Sequence, residues 1–180
     1  MKWIVTEIDG KVASIAADYR YLAALSARIA THSPDAVDRV ETRKITTEEL
    51  LALAATLTWD DLSLSGSKFQ KSVWKALYDL THGEEAPTLL SYTDFAERFG
   101  NPSGVRAVAH AIAMNPVAYV IPCHLVIPKE SMDRIREIRR SAEATLFRGS
   151  DLYLLDTIDV GEFAYGPALK KELIKNQLGK

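Results

Sequence analysis

The sequence contains a single cysteine, Cys123, among 180 residues. One cysteine excludes an intrachain disulfide and a zinc site built from several thiolates, so we expect a reducing compartment. Long apolar runs are missing as well, since no window reaches the roughly 18 apolar residues of a transmembrane helix. Residues 1–11 carry acids and have no apolar core of signal-peptide length, which predicts an intracellular protein, cytoplasmic or nuclear.

An excess of positive charge is also absent. The net charge is −2 and the isoelectric point is near 6.1. Between Lys68 and Pro128, five basic residues are balanced by five acidic ones. Charge alone therefore gives no reason to expect a nucleic-acid partner. The four histidines are scattered and form no ligand cluster of familiar spacing, so we expect no metal and no cofactor.

What is present is a globular composition, with 47% hydrophobic and 26% charged residues. In the N-terminal part, two β-branched runs flank Asp9-Gly10, a pattern typical of a β-hairpin. A helical pattern follows from Tyr19 to Ala30. Thr46 and Glu49 then form a capping-box signal that opens a second helix. This order predicts a small sheet-plus-helix domain over residues 1–61.

Residues 62–180 have a mainly helical pattern. Ser67 and Gln70 form another capping-box signal, and the apolar residues of the helix that follows share one face: Phe69, Val73, Trp74, Leu77 and Leu80. SYTDFAERFG predicts a short helix that ends at Gly100, and Asn101-Pro102 starts the next helix. Two short helices joined by a tight turn outline a helix-turn-helix. The chain is therefore predicted to have an α/β (α+β) fold with a winged-helix-like second domain.

The second of these helices, SGVRAVAHAIAM, places Val105, Val108 and Ile112 on a buried stripe. Arg106 lies among alanines on another face, an arrangement that suits close approach to a nucleic-acid groove. An alanine-rich packing helix with a solvated arginine explains the same pattern, and helix-turn-helix outlines are weakly specific.

Residues 121–128, IPCHLVIP, place Cys123 beside His124 in an otherwise apolar run. A lone cysteine is commonly an inert, buried hydrophobe. A nearby imidazole, however, draws a thiol toward thiolate from its ordinary pKa of about 8.5. Neighbours in a regular strand point to opposite faces, so such pairing requires a turn, which Pro122 favours. A cysteine protease fits poorly, because the distant histidines it would need have no supporting context.

Four segments together resemble the O6-alkylguanine-DNA alkyltransferases, or methylated-DNA–protein-cysteine methyltransferases. They are GSKFQKSVWKAL, SYTDFA, GNPSGVRAVAHAIAMNPVAYVIPCHLVI and VGEFAYGPALKKELI. The resemblance covers residues 62–127 and 160–177 in the family's order. Its most specific part is Asn-Pro-Val followed shortly by Ile-Pro-Cys-His.

The resemblance implies single-turnover DNA repair on double-stranded DNA that contains O6-alkylguanine, by a monomer. Cys123 would accept the alkyl group after the nucleotide is flipped out of the stack. His124 would take the thiol proton through a water, Asn115 would brace the preceding turn, and Tyr92 would help protonate the leaving base. The catalytic set is completed by Gln177.

The same resemblance implies the residues that contact DNA and line the pocket. Arg106 would enter the stack from the minor groove and fill the place of the flipped nucleotide. The other predicted DNA contacts are Ser103, Ala107, His110 and Ala111. The predicted substrate pocket consists of Pro122, Val126 and the loop residues Phe163, Ala164, Tyr165 and Gly166.

Three features depart from the family's pattern. Leu125 occupies the position that is usually arginine after Cys-His, so packing must replace that residue's ion pairs. Gln177 occupies the position of a helper glutamate, and a neutral amide cannot stabilise an imidazolium by charge. The segment 128–159 is much longer than the usual link.

The long segment has an apolar helical stripe with Ile135, Ile138, Ala142 and Leu146, and an arginine stripe with Arg136, Arg139 and Arg140. Its six basic and seven acidic residues fit a solvated surface helix. The alternative is an added helix that brings arginines to DNA phosphates or guards the pocket.

Two other functions remain open. One is an alkyltransferase-like protein that flips and flags lesions without efficient transfer. Such relatives lack the acceptor cysteine, which this chain has. The other is a helix-turn-helix transcription regulator, for which the sequence offers no dimerisation or effector element.

Overall fold

The computed structural model describes residues 1–17, 27, 31, 39–83, 88–144 and 151–179, without the side chains of 142–144 and 151–153. Apart from Ala27, the predicted helix Tyr19–Ala30 lies outside the described residues. The chain divides into two compact units. The first consists of Met1–Asp79 and Met114–Cys123, and the second of Leu80–Ala113 and His124–Lys180. The predicted boundary after residue 61 falls inside the first unit and stays a prediction.

A three-stranded antiparallel sheet forms the centre of the first unit. Strands β1 (Lys2–Ile8) and β2 (Lys11–Ala16) form the predicted hairpin, and both turn residues have positive φ, 52° at Asp9 and 75° at Gly10. Two positive φ values in a two-residue loop are those of the tight turn that an Asp-Gly pair favours. A third strand, β3 (Val40–Thr46), pairs with the other edge of β1 and was not predicted. Its side chains are mostly exposed, so it lacks the apolar pattern by which strands are recognised.

Helix α1 (Thr47–Ala54) begins at the predicted capping box. The Thr46 N–H donates to Glu49 Oε2 at 2.7 Å, and the Glu49 N–H donates to Thr46 Oγ1 at 3.2 Å. The helix buries Leu50 completely. The N-terminal sheet-plus-helix arrangement is thereby confirmed.

Helix α2 (Lys68–His82) also begins at its predicted cap, where Ser67 and Gln70 exchange hydrogen bonds of 3.0 and 3.2 Å. Val73, Trp74 and Leu77 are fully buried, which confirms the apolar stripe over these residues. Leu80 is partly buried, and Phe69 is exposed at 37%. Phe69 lies in the first turn of α2, at the solvent-facing start of the stripe.

The second unit contains the predicted helix-turn-helix. Strand β4 (Leu90–Ser91) leads into α3 (Tyr92–Arg98), which ends before Gly100 at φ 82°. A 3₁₀ turn (Pro102–Gly104) then precedes α4 (Val105–Ala113). Asn101 precedes this turn as predicted, although its side chain makes no capping hydrogen bond.

Beyond the helix-turn-helix, β5 (Val126–Ile127) pairs in parallel with β4. It is followed by α5 (Lys129–Ala144), a 3₁₀ helix (Asp151–Asp156) and α6 (Pro167–Leu178). These elements share a core of Ile127, Met132, Ile135, Leu154, Leu155, Ile158, Val160 and Ile174. The predicted apolar stripe of the long segment is confirmed at Ile135 and Ile138, while Ala142 and Leu146 lie outside the described side chains. Through the described part of the chain, no helix has both the length and the hydropathy to cross a bilayer.

Candidate active site

In the first unit, the segment Asn115–Cys123 is attached to strand β2. The Ile15 N–H donates to the Pro116 carbonyl at 3.0 Å, and the Ala118 N–H donates to the Ile15 carbonyl at 3.1 Å. The chain then turns through Tyr119, which has φ 72°, and the turn is closed by a 3.1 Å bond from Ile121 N–H to the Val117 carbonyl. Rigid attachment to the sheet fixes the backbone that leads to the thiol.

The side chain of Asn115 holds this turn together. Its Nδ2 donates to the Ile121 carbonyl at 2.8 Å and approaches Cys123 Sγ at 3.1 Å. Its Oδ1 accepts from the Val117 N–H at 3.0 Å. An amide N–H aimed at sulfur favours the thiolate over the thiol, because the negative sulfur is the stronger acceptor. Asn115 thus braces the turn and contacts the Cys123 sulfur in one arrangement.

Cys123 itself is half-buried and opens a 3₁₀ turn, Cys123–Leu125, directly after buried Pro122. Its N–H donates to the Ile121 carbonyl at 2.8 Å. With three residues per turn, successive side chains are about 120° apart and no longer on opposite faces. The turn expected between Cys123 and His124 is therefore present, and Cys123 is not fully buried.

In the second unit, His124 is 0% exposed. Burial, assisted by the Lys170 ammonium, lowers the pKa of His124 to about 3, while Gln177, within hydrogen-bonding reach of the ring, opposes this shift. His124 is therefore a neutral imidazole at pH 7. Gln177, the residue inferred for the helper position, thus lies beside His124, and its helper role stays a prediction.

Lys170 is a site residue that the sequence reasoning missed. It lies on α6 and is 1% exposed, and its Nζ donates to the Val126 carbonyl at 2.8 Å. The same ammonium lies 5.9 Å from the centroid of the Tyr92 ring. The available signal was a lysine on the buried stripe of α6, between Leu169 and Leu173.

The backbone just before the predicted pocket loop lies near Lys170. A Cβ built on Gly161, which has φ 77°, would lie 3.0 Å from Pro128 and 3.9 Å from Lys170 Nζ. The loop turns at Phe163–Gly166, where the Gly166 N–H donates to the Phe163 carbonyl at 2.9 Å. The rings of Phe163 and Tyr165 meet edge to face at 5.4 Å, and Ala164 is exposed.

Two buried residues flank the cysteine turn on its C-terminal side. Leu125 and Val126 are both 0% exposed. A leucine in place of the family's arginine is thus accommodated by packing, as the sequence suggested. An arginine side chain at this position would have to bury its charge or leave the core.

Helix α4 exposes most of the residues predicted to contact DNA. Arg106, Ala107 and His110 are exposed on the helix, and Ser103 is exposed in the preceding turn. The prediction for Ala111 is wrong, since it is only 1% exposed. Ala111 lies three residues after Val108 and beside Ile112, which places it on the buried face of the helix.

Among the residues that the structure describes, no group of three or more histidine, cysteine or acidic side chains is arranged to hold a metal ion.

A family profile described as "6-O-methylguanine DNA methyltransferase, DNA binding domain" matches residues 68–143. Residues 68–143 are thus similar to this domain family. The matched region includes both helices of the helix-turn-helix and the turn with Asn115 and Cys123. Lys170 and Gln177 lie beyond it.

Curated relatives of the methyltransferase domain carry corresponding names. A probable methylated-DNA–protein-cysteine methyltransferase of Acanthamoeba polyphaga mimivirus is 44% identical over 71 residues, 39% of this chain and 45% of that protein. The methylated-DNA–protein-cysteine methyltransferase of Mycobacterium bovis is 35% identical over 101 residues, 48% of this chain and 59% of that protein. The matched part thus spans less than two thirds of these relatives.

The fold resembles that of a solved structure over most of both chains. The O6-methylguanine-DNA methyltransferase of Pyrococcus kodakaraensis strain KOD1 superposes with a TM-score of 0.60 at 20% identity, covering 98% of this chain and 91% of that one. At this identity the likeness shows the fold, including the N-terminal sheet that lies outside the domain match.

Proposed function

We propose that this chain repairs DNA by transferring the alkyl group of O6-alkylguanine to Cys123, where it stays as a thioether. The observation that carries this proposal is the Cys123 thiol within a matched methyltransferase domain, on a turn where Asn115 Nδ2 lies 3.1 Å from the sulfur. The proposed setting is an intracellular, reducing compartment that keeps the thiol free, and the proposed acting form is a monomer.

In the proposed reaction, the sulfur attacks the alkyl carbon, the S–C bond forms and the bond from that carbon to O6 breaks. The departing guanine takes the electron pair and needs one proton. His124 accepts the thiol proton through a water, and the Tyr92 hydroxyl donates a proton to the base. His124 gains the proton that the thiol loses, and Tyr92 loses the proton that the base gains, so the step balances with a protonated His124 and a deprotonated Tyr92 and consumes no cofactor.

The protonation state of His124 determines how easily this reaction begins. With a pKa of about 3, the ring is available as an acceptor at pH 7, but its cationic form is strongly disfavoured. A stable thiolate–imidazolium pair is therefore not expected before DNA binds. Transfer should be slow unless proton movement is coupled to departure of the base.

DNA binding is proposed to use the exposed face of α4. Arg106, Ala107 and His110 lie on that face, and Ser103 lies at its start. Small side chains allow close approach to the minor groove, and a single arginine can occupy the gap left by a flipped nucleotide. If Arg106 is only a solvated side chain, Arg106→Ala should leave lesion repair unchanged.

The direct test is the intact mass of the protein after incubation with a duplex oligonucleotide that contains O6-methylguanine. We expect a gain of one methylene unit, absent from Cys123→Ala and absent with unmodified guanine. Tight lesion binding without a mass change would instead favour a protein that flips and flags the lesion. Neither binding nor transfer would contradict both functions.

Gln177→Glu is expected to speed transfer. Burial and the Lys170 ammonium disfavour the imidazolium form of His124, whereas a carboxylate beside the ring would favour it. A neighbouring opposite charge shifts a pKa by about 1–3 units. If proton transfer limits the rate, we expect an increase of about tenfold in single-turnover transfer. Asn176→Asp adds the same charge one residue away and is the matched control. An equal rate in wild type and Gln177→Glu would remove Gln177 from the proposed proton path.

A further inference from the structure

Helix α5, which belongs to the long segment after the cysteine turn, is anchored to the second unit by its apolar side. Met132 and Ile135 are 4% and 2% exposed and pack in one cluster with Ile127 and Ile174. The polar side of the helix is held at a fixed distance from the elements beside it. Arg136, next to Ile135, therefore has a defined position.

Arg136 contacts the N-terminal turn of α3. Its Nη2 lies 2.8 Å from Asp94 Oδ2, and its Nη1 lies 3.3 Å from Asp133 Oδ1 on its own helix. The side chains of Arg136 and Asp94 are 46% and 26% exposed. A partly exposed ion pair of this kind contributes little to folding stability, and its main effect is to hold the two side chains in one geometry.

Asp94 is also the carboxylate of a capping box. The same Oδ2 accepts from the Ser91 N–H at 3.1 Å and from Ser91 Oγ at 2.8 Å, and the Asp94 N–H donates back to Ser91 Oγ at 3.0 Å. Burial raises the pKa of Asp94, but the hydrogen bonds from Ser91 and the Arg136 guanidinium outweigh it and lower the pKa. The carboxylate is therefore ionised at neutral pH and can hold both partners at once.

The residue that this box places is Tyr92. Tyr92 is the first residue of α3, between the cap Ser91 and the carboxylate Asp94. Ser91 is also fixed from the other side, because β4 pairs with β5 with Ser91 opposite Ile127. The direction in which the Tyr92 ring leaves the backbone is set by this capped turn.

We propose that Arg136 is a positioning residue that, through Asp94 and the Ser91 capping box, fixes Tyr92 for proton donation to the departing base. This inference rests on the proposed function. It assigns the long segment a part in the reaction that is distinct from contact with DNA phosphate. Both guanidinium nitrogens that a phosphate would use are already directed at Asp94 and Asp133.

The test separates the transfer step from DNA affinity. For wild type and Arg136→Met, the transfer rate constant at saturating O6-methylguanine duplex and the Kd for that duplex are measured. We expect the rate constant to fall about three- to tenfold with an unchanged Kd, because a small misplacement of an acid slows the chemical step. Arg136→Lys, which keeps the charge, should recover part of the rate. Arg134→Met removes a neighbouring arginine that pairs with Glu137 on the same helix and should match wild type.

Coupling through Asp94 is tested by a double-mutant cycle. In an Asp94→Asn background, Arg136→Met should have no further effect on the rate. Equal effects in both backgrounds would overturn the proposal, as would a wild-type rate in Arg136→Met. A weaker Kd with a reduced salt dependence would identify Arg136 as a phosphate contact instead.

A readout without DNA completes the test. The NMR signals of the Tyr92 ring, assigned by comparison with Tyr92→Phe, should shift in Arg136→Met and stay in place in Arg134→Met. Unshifted signals in Arg136→Met would contradict the proposal. If the wild-type protein gains no mass with lesion DNA, the proposed function fails, whereas this NMR comparison still reports whether Arg136 positions Tyr92.

Discussion

Asn115→Ala is expected to slow alkyl transfer by about 10- to 100-fold. The substitution removes the Nδ2 group 3.1 Å from Cys123 Sγ and the two hydrogen bonds by which the Asn115 side chain braces the turn. A hydrogen bond to a charged acceptor contributes about 1.5–3 kcal/mol, and each 1.4 kcal/mol is tenfold in rate. The measurement is single-turnover transfer from O6-methylguanine duplex, followed by intact mass.

The stability of the Asn115→Ala variant should fall as well. The Ile121 carbonyl and the Val117 N–H lose their partner in a partly buried turn, which costs about 1–3 kcal/mol in the free energy of unfolding. Denaturant unfolding of both proteins gives this difference directly. A wild-type stability would mean that the turn is held by its backbone bonds alone.

Asn115→Asp is the matched control, because it keeps the oxygen that accepts from Val117 and loses the amide donor. Its negative charge beside the sulfur disfavours the thiolate, so transfer should be at least as slow as in Asn115→Ala. Alkylation of Cys123 by iodoacetamide should likewise be slower in Asn115→Ala than in wild type, and at least as slow in Asn115→Asp. Because this reaction contains no DNA, the slowing cannot come from weaker DNA binding. Wild-type reactivity in Asn115→Asp would contradict any role of the amide N–H at the sulfur.

The second large effect is expected on folding stability at acidic pH. The pKa of His124 is about 3 in the folded protein, whereas an unfolded histidine titrates near 6.5. Between pH 3 and pH 6.5, His124 is protonated in the unfolded chain and neutral in the folded protein. The free energy of unfolding should therefore decrease as pH falls from 6.5 toward 3, by up to about 1.4 kcal/mol per pH unit from this residue alone.

His124→Gln isolates this contribution from that of the carboxylates. Urea unfolding of wild type and variant between pH 6.5 and 5 should show a steeper loss of stability in wild type. His110→Gln, which changes an exposed histidine, should keep the wild-type slope. Lys170→Met should raise the pKa of His124 in the folded protein. The pH range over which this histidine lowers the stability would then end at a higher pH. Parallel slopes for wild type and His124→Gln would show that the buried ring is protonated without penalty.

Local features of the fold were predictable where a few consecutive residues determine the backbone. The Asp9-Gly10 turn and the cap of α1 at Thr46 formed as their short-range chemistry indicated. Strand β3 was missed because its partners, not its own pattern, make it a strand. Its exposed residues pair with β1 across more than thirty positions of sequence.

The candidate site shows the same division. Cys123, His124 and Asn115 were found because a short, specific motif contains them. Ala111 was assigned to the wrong face of α4, since alanine is equally compatible with a groove contact and with a close helix packing. Lys170 was missed because a lysine is ordinarily exposed, and here it is 1% exposed and bonded to Val126, 44 residues away in sequence.

The sequence by itself determined that Cys123 is the one candidate nucleophile of its kind and that His124 follows it, where the caps start the helices, and that Leu125 and Gln177 depart from the family pattern. These properties depend on residue type and short spacing. Only the tertiary structure decided that Asn115 approaches the sulfur, that His124 is neutral, and that Arg136 reaches Asp94. The reason is physical: burial and charge act through space, so a pKa or an ion pair depends on residues that the chain brings together from distant positions.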